Sequence, residues 1–177
     1  MSLNHPIVTA KSGRQFATIP AALVGVIVRE DERILMLSSP KRPGQWEPVS
    51  GAYDGDETLI EGLLREVREE AGATIRVRPL CTIHACTFSY DETLRYMMSV
   101  AYLLAYESGQ VFPGDDMAGS QGKWLCVDEI EQGTYTIIIP PEQLWIYRRA
   151  IDLYRMFKAA PPVQQEAPPY SKHKYRD

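Results

Sequence analysis

The sequence predicts an α+β domain, an α/β/α sandwich in which a mixed β-sheet lies between helices. Three observations predict it. Apolar, β-branched runs stand both before and after one amphipathic segment with helical spacing. That segment is framed by glycines. A second segment with helical spacing closes the aliphatic-rich part of the chain. Strands flanking one helix, followed by a final helix, form layers that bury their apolar faces on a shared sheet.

Taken in order, residues 1–19 are mixed and polar and read as an arm or an edge strand. Ala21–Arg29 (AALVGVIVR) is an apolar, β-branched run and predicts a buried strand. Glu30-Asp31-Glu32 is a turn, and Arg33–Ser38 (RILMLS) is the returning strand. Pro40–Gly44 is a loop by composition. Trp46–Ser50 is a short strand leading to a loop marked by Gly51 and Asp54-Gly55. A helix is expected from about Glu57 to Ala71, with Asp56 as its N-cap and Gly72 as its stop. Leu59, Leu63 and Val67, with Ile60 and Leu64, form its apolar stripe. Thr74–Thr87 reads as a strand, Phe88–Thr93 as a polar turn and Leu94–Tyr106 as the longest strand. Glu107–Gly122 is a loop long enough to be functional rather than a plain connection. Lys123–Val127 is a further strand, and Asp128 starts a helical turn. Pro141–Lys158 predicts the last helix, with Leu144, Tyr147, Ile151 and Tyr154 on its buried face.

The chain has 177 residues, enough for one domain with a proper core. A single domain over 1–159 is expected, its core about 20–158, with 160–177 as a flexible tail rich in Pro, Gln and Lys. A net charge of −4 argues against nucleic acid or an anionic membrane as the main partner. No stretch is apolar enough to span a bilayer, and no N-terminal segment reads as a secretory signal. The three cysteines are not densely spaced and suggest a reducing, cytoplasmic setting. Cys81 and Cys86 are expected on opposite faces of their strand, which argues against a metal site there.

The densest information lies in Gly51–Ala73, GAYDGDETLIEGLLREVREEAGA. Glu57 follows Gly51 at a fixed offset, and Arg65-Glu66-Val67-Arg68-Glu69-Glu70 follows in turn. Glu66, Glu69 and Glu70 stand at i, i+3 and i+4, so their carboxylates project from one neighbourhood of the helix. Three clustered carboxylates repel, and a hard cation with oxygen ligands removes that cost. Magnesium takes one or two carboxylates, keeps several waters and accepts further oxygens from phosphates.

Gly51–Ala73 resembles the Nudix box, the signature of the Nudix hydrolases, at every fixed charged and glycine position. Three departures are mild: Ala73 is smaller than the usual aliphatic residue, Gly62 stands where Ala is commoner, and the entrance reads Pro48-Val49-Ser50-Gly51. With the flanking strand pattern the likeness extends to about Pro20–Lys158. The resemblance implies the Nudix α/β/α fold and hydrolysis of a pyrophosphate linkage in a nucleoside diphosphate joined to another group. It implies that Glu66, Glu69 and Glu70, with a backbone carbonyl near Gly51, hold Mg²⁺ or Mn²⁺. It implies that Arg65 and Glu57 are an orienting ion pair and that Glu69 or Glu66 activates water. Asp115 and Asp116 in the long loop are the downstream alternatives for the base; Gln121 stands where many relatives have a glutamate before the tryptophan strand.

Substrate contacts are expected from Trp46, by stacking on a base, and from Arg42, beside Lys41, on phosphates. Tyr90 falls near the position that marks dinucleoside polyphosphate enzymes of the family, and Ser89 stands near the proline position of the ADP-ribose branch. A small-molecule nucleoside triphosphate or dinucleoside polyphosphate is therefore the expected substrate. The entrance also resembles dihydroneopterin triphosphate enzymes. A nucleotide-binding sensor without turnover is the alternative, and an isoprenoid diphosphate isomerase is disfavoured because no cysteine precedes Cys81. Monomer and homodimer both stay open.

Overall fold

The structure, a computed structural model, describes residues 6–114, 117–138 and 143–159. The expected tail, Asp115, Asp116 and Pro141 lie outside the described residues.

Two short strands, β1 (Ile7–Thr9) and β2 (Gln15–Ala17), pair as an exposed antiparallel hairpin separate from the main sheet. The main sheet has eight strands: β3 (Ala21–Val28), β4 (Ile34–Ser38), β5 (Gln45–Glu47), β6 (Val49–Ala52), β7 (Arg76–Phe88), β8 (Met97–Ser108), β9 (Gly122–Leu125) and β10 (Thr136–Ile137). Its order is β10-β5-β4-β3-β8-β7, with β6 paired to β3 and β9 paired to β4. The β3–β8 and β5–β10 pairs are parallel and the others antiparallel, so the sheet is mixed. The helices are α1 (Leu59–Glu66), continued by a single wide π-type turn Val67–Ala71, then α2 (Val127–Glu131) and α3 (Trp145–Ala159). Among the described residues no helix is long and apolar enough to cross a membrane.

The sandwich follows from β3, whose apolar run is buried on both faces as central strands require. Val24, Val26 and Val28 face a core completed by Ile130 of α2 and by Ile146, Tyr147, Ala150, Ile151 and Tyr154 of α3. Leu23 and Ile27 face the other core, completed by Leu63, Val67 and Ala71. Each fully buried aliphatic side chain contributes about 1.5–3 kcal/mol relative to exposure. This second core presses α1 and its wide turn onto the sheet beside β6.

Four local expectations are corrected. The single strand over Trp46–Ser50 is two strands, because Pro48 has no N–H to donate and interrupts the ladder. Trp46 pairs towards β4 and β10, whereas Val49–Ala52 pairs with β3. Gly51 is thus a strand residue opposite Leu23 and not part of a loop. The N-cap is Thr58, not Asp56: its hydroxyl accepts the Glu61 N–H at 3.2 Å, and the Glu61 carboxylate accepts the Thr58 N–H at 2.7 Å. This reciprocal box satisfies two otherwise orphaned donors. The helix stops being a regular α-helix at Val67.

The fourth correction concerns Cys81 and Cys86, which lie on the same face. The register shift in β7 between Thr82 and His84 falls between them, and they stand opposite Leu103 and Ser99 on the regular strand β8. A bulge inserts a residue and reverses the alternation beyond it. Cys81 packs against the α3-side core, and burial pushes its thiol pKa up.

Candidate metal and active site

The site is built where α1 and its wide turn lie over the end of β6. Arg65 is its hub. Its Nε and Nη2 donate to the two carboxylate oxygens of Glu57 at 3.3 and 2.9 Å. Nη2 also donates to the Ala52 carbonyl at 3.2 Å and stands 3.3 Å from Asp54. Nη1 donates to Glu66 at 2.7 Å and to Glu69 at 3.0 Å. Glu57, just before the helix, reaches Arg65 by lying over Gly62, where a Cβ would come within 2.5 Å of its oxygen. The small residue at 62 is therefore the counterpart of that fork-to-fork pair. Hydrogen bonds from Arg65 hold the Glu57 carboxyl below the usual carboxylate range, and the same bonds raise the guanidinium pKa.

The three helix carboxylates differ in environment. Glu66 is 8% exposed and Glu70 is 7% exposed. The Glu66 carboxylate lies directly over the Cα of Gly51, where any Cβ would collide with it. Glu70 accepts the Ser50 N–H at 2.7 Å. Glu69 is more open, its side chain 40% exposed. Glu66, Glu69, Glu70, Gly51, Arg65 and Glu57 are thus brought together around Ser50–Ala52.

A divalent cation fits the chemistry of this donor set: three carboxylates and nearby backbone carbonyls supply oxygen alone, the preference of hard cations. The room over Gly51 accommodates the Glu66 carboxylate against the strand. As they stand, however, no three acidic, His or Cys side chains among the described residues are drawn into a metal-holding cluster. Arg65 Nη1 lies between Glu66 and Glu69 and neutralises them.

The substrate candidates belong to other elements of the fold. Arg42 is exposed in the turn between β4 and β5, where its N–H donates to the Ser39 carbonyl. Tyr90 is 67% exposed in the connection between β7 and β8. Trp46 is half-buried against the α3-side core, edge-on to Tyr135 at 5.7 Å, with the Lys123 ammonium 5.3 Å from its ring. Sequence reasoning missed Ser50, whose amide anchors Glu70, and Asp54, which joins the Arg65 network. Neither carries a signal beyond its place in the box entrance. The Thr58-Leu59-Ile60-Glu61 capping box was readable from its spacing alone.

Comparison with known proteins bears on the family and the fold. Residues 19–145 match the NUDIX domain family. The chain is 27% identical over 151 residues to the NAD-capped RNA hydrolase NudC of Pseudomonas aeruginosa, covering 84% of this chain and 49% of that protein. It is 29% identical over 100 residues to the ADP-ribose pyrophosphatase of Methanocaldococcus jannaschii, covering 55% of this chain and 57% of that protein. The chain therefore spans about half the length of these curated relatives. A NUDIX-family hydrolase from Clostridium perfringens superposes with a TM-score of 0.62 at 18% identity, over 76% of this chain and 97% of that one. The α/β/α sandwich is thus the fold that the sequence predicted.

Proposed function

This chain belongs to the Nudix family, and we propose that it is a hydrolase of phosphorus anhydrides that cleaves, with Mg²⁺ or Mn²⁺, a pyrophosphate linkage in a nucleoside diphosphate joined to a further group. The observation that carries this reading is the seating of Glu66 over Gly51 and of Glu70 on the Ser50 N–H. Two carboxylates are thereby fixed beside a strand end with a third, Glu69, within reach. Bound there, the cation would supply charge neutralisation for phosphate oxygens and lower the pKa of water.

The protein's own groups divide the remaining work. Glu70, held by the Ser50 N–H, and Glu66, seated over Gly51, would be the fixed ligands; Glu69 and a carbonyl near Gly51 would complete the set. Loading requires Arg65 Nη1 to release Glu69 and Glu66, while its bonds to Glu57 and the Ala52 carbonyl keep the side chain in place. Glu69, the most exposed of the three acids, suits the handling of water. Water attacks one phosphorus, the bond from that phosphorus to the bridging oxygen breaks, and the water proton passes to the Glu69 carboxylate. Glu66 is the alternative base within the box. Arg42 and Tyr90, both exposed, and Trp46 are the proposed substrate contacts; for Trp46 stacking competes with its packing on Tyr135.

To nucleoside triphosphates and diadenosine polyphosphates as substrates to test, the names of the two curated relatives add NAD-capped RNA and ADP-ribose. The net charge of −4 favours the small molecules. The test is product release from this panel and from dihydroneopterin triphosphate, with Mg²⁺ and with Mn²⁺, for the wild type and Glu70→Gln. Turnover that the substitution abolishes supports the reading. Folded wild-type protein that binds nucleotides and turns over none of them supports a sensor instead.

A further inference from the structure

The loop after β8 is fastened to the end of the acidic helix, not merely adjacent to it. The last carbonyls of any helix have no partner within it. Here the Ala71 carbonyl accepts the Phe112 N–H at 2.8 Å and the Glu69 carbonyl accepts the Gly114 N–H at 3.2 Å. The loop is anchored one step further on by Thr74, whose hydroxyl accepts the Gln110 N–H at 3.2 Å and donates to the Gln110 carbonyl at 3.3 Å. Gly72 lets the two segments meet. Its φ is 124°, and a Cβ there would stand 2.8 Å from the Phe112 carbonyl oxygen. The π-type turn Val67–Ala71, an uncommon conformation that collects at functional sites, is therefore held from outside by residues 110–114.

We infer that residues 110–114 are a strap that sets the backbone of Glu69 and Glu70, and that Thr74 and Gly114 are positioning residues for metal binding. The inference rests on the metal site proposed above. Neither residue is among the proposed metal ligands, and each acts through the turn. Holding the turn fixes where the Glu69 and Glu70 carboxylates start relative to Glu66. A loosened turn leaves the ion to order the ligands itself, at a cost in affinity. Losing groups that orient metal ligands weakens affinity by about 10–100-fold, and the lower end of that range is expected here.

The test measures Mn²⁺ binding to substrate-free protein by electron paramagnetic resonance, together with hydrogen–deuterium exchange of the turn in metal-free protein. Thr74→Val removes both anchoring bonds, and Gly114→Pro removes the donor to Glu69. Thr74→Ser keeps the hydroxyl. Expected are Mn²⁺ binding weakened about tenfold in Thr74→Val, near-wild-type binding in Thr74→Ser, and faster exchange over 67–71 in Thr74→Val alone of that pair. Should Gly114→Pro fail to fold, the Thr74 pair still decides. Unchanged binding and exchange in Thr74→Val overturn the strap while leaving the metal site standing. A wild-type protein that binds no Mn²⁺ overturns both, and a Thr74→Val protein that only melts earlier, with unchanged affinity and exchange, shows a purely structural loop.

Discussion

The carboxylate of Glu66 rests against the Cα of Gly51, in space that a side chain at position 51 would fill. A strand residue and a helix residue thus share one volume, and the glycine is required for close approach. Gly51→Ala must push Glu66 away from the strand. A misplacement of about 1 Å in a catalytic constellation costs roughly 100-fold in rate. A loss of that size or more is expected in kcat/KM, with circular dichroism unchanged. Near-wild-type activity would refute the role given to this contact.

The Glu57–Arg65 pair makes stability depend on acid. The folded carboxyl pKa lies below its ordinary value of 4.5 because Arg65 hydrogen-bonds the charged form. The unfolded chain therefore takes up the proton first as pH falls. The stabilisation is complete above the ordinary value and is lost as pH drops through the lower, folded value. Urea unfolding of wild type and Glu57→Gln between about pH 7 and pH 3 checks the sign. The wild-type advantage should shrink below about pH 4.5; an advantage that grows there contradicts the assignment.

Thr58→Ala removes one half of the capping box and leaves the Glu61 N–H without its side-chain acceptor. Such cap losses cost about 1 kcal/mol. Because α1 carries Arg65 and Glu66, a lower urea midpoint should come with modestly weaker metal binding. An unchanged midpoint would show that water replaces the cap.

Leu63 is fully buried between α1 and the sheet, in the core that includes Leu23 and Leu104. Leu63→Ala is expected to destabilise the protein by about 2–5 kcal/mol. Calorimetry measures this directly, and a change under about 1 kcal/mol would mean that the site collapses to refill the cavity.

Metal should raise the melting temperature. A ligand that binds only the folded state stabilises it by about 2.7 kcal/mol at 100 times its dissociation constant. Thermal scans with Mg²⁺ and with chelator should differ for wild type and should converge for Glu70→Gln. An equal shift in the variant would place the ion elsewhere.

Much of this was legible because it is local. Helical spacing marks the stripe Leu59, Leu63 and Val67, and the box marks Glu66, Glu69 and Glu70 as neighbours on one helix. Four features were misread for identifiable reasons. Asp56 and Thr58 are both good caps, and Glu61, three residues after Thr58, separates them by its spacing and by its reciprocal contact. Pro48 split a strand that its apolar neighbours seemed to continue. Gly51 reads as a turn residue, yet it is a strand glycine kept small by a helix side chain. The β7 bulge between Thr82 and His84 puts Cys81 and Cys86 on one face, a parity that no period-two reading recovers.

By itself the amino-acid order determined the layered α+β architecture, the acidic helix and the clustering of its three carboxylates, since periodicity and side-chain chemistry act over a few neighbours. Tertiary structure alone decided that Arg65, besides its expected pair with Glu57, also holds Glu66 and Glu69, that Glu70 leans on the Ser50 amide, and that residues 110–114 hold the wide turn. Those arrangements arise from unpaired backbone groups and partly buried charges seeking partners distant in the chain, and a burial pattern leaves the choice of partner open.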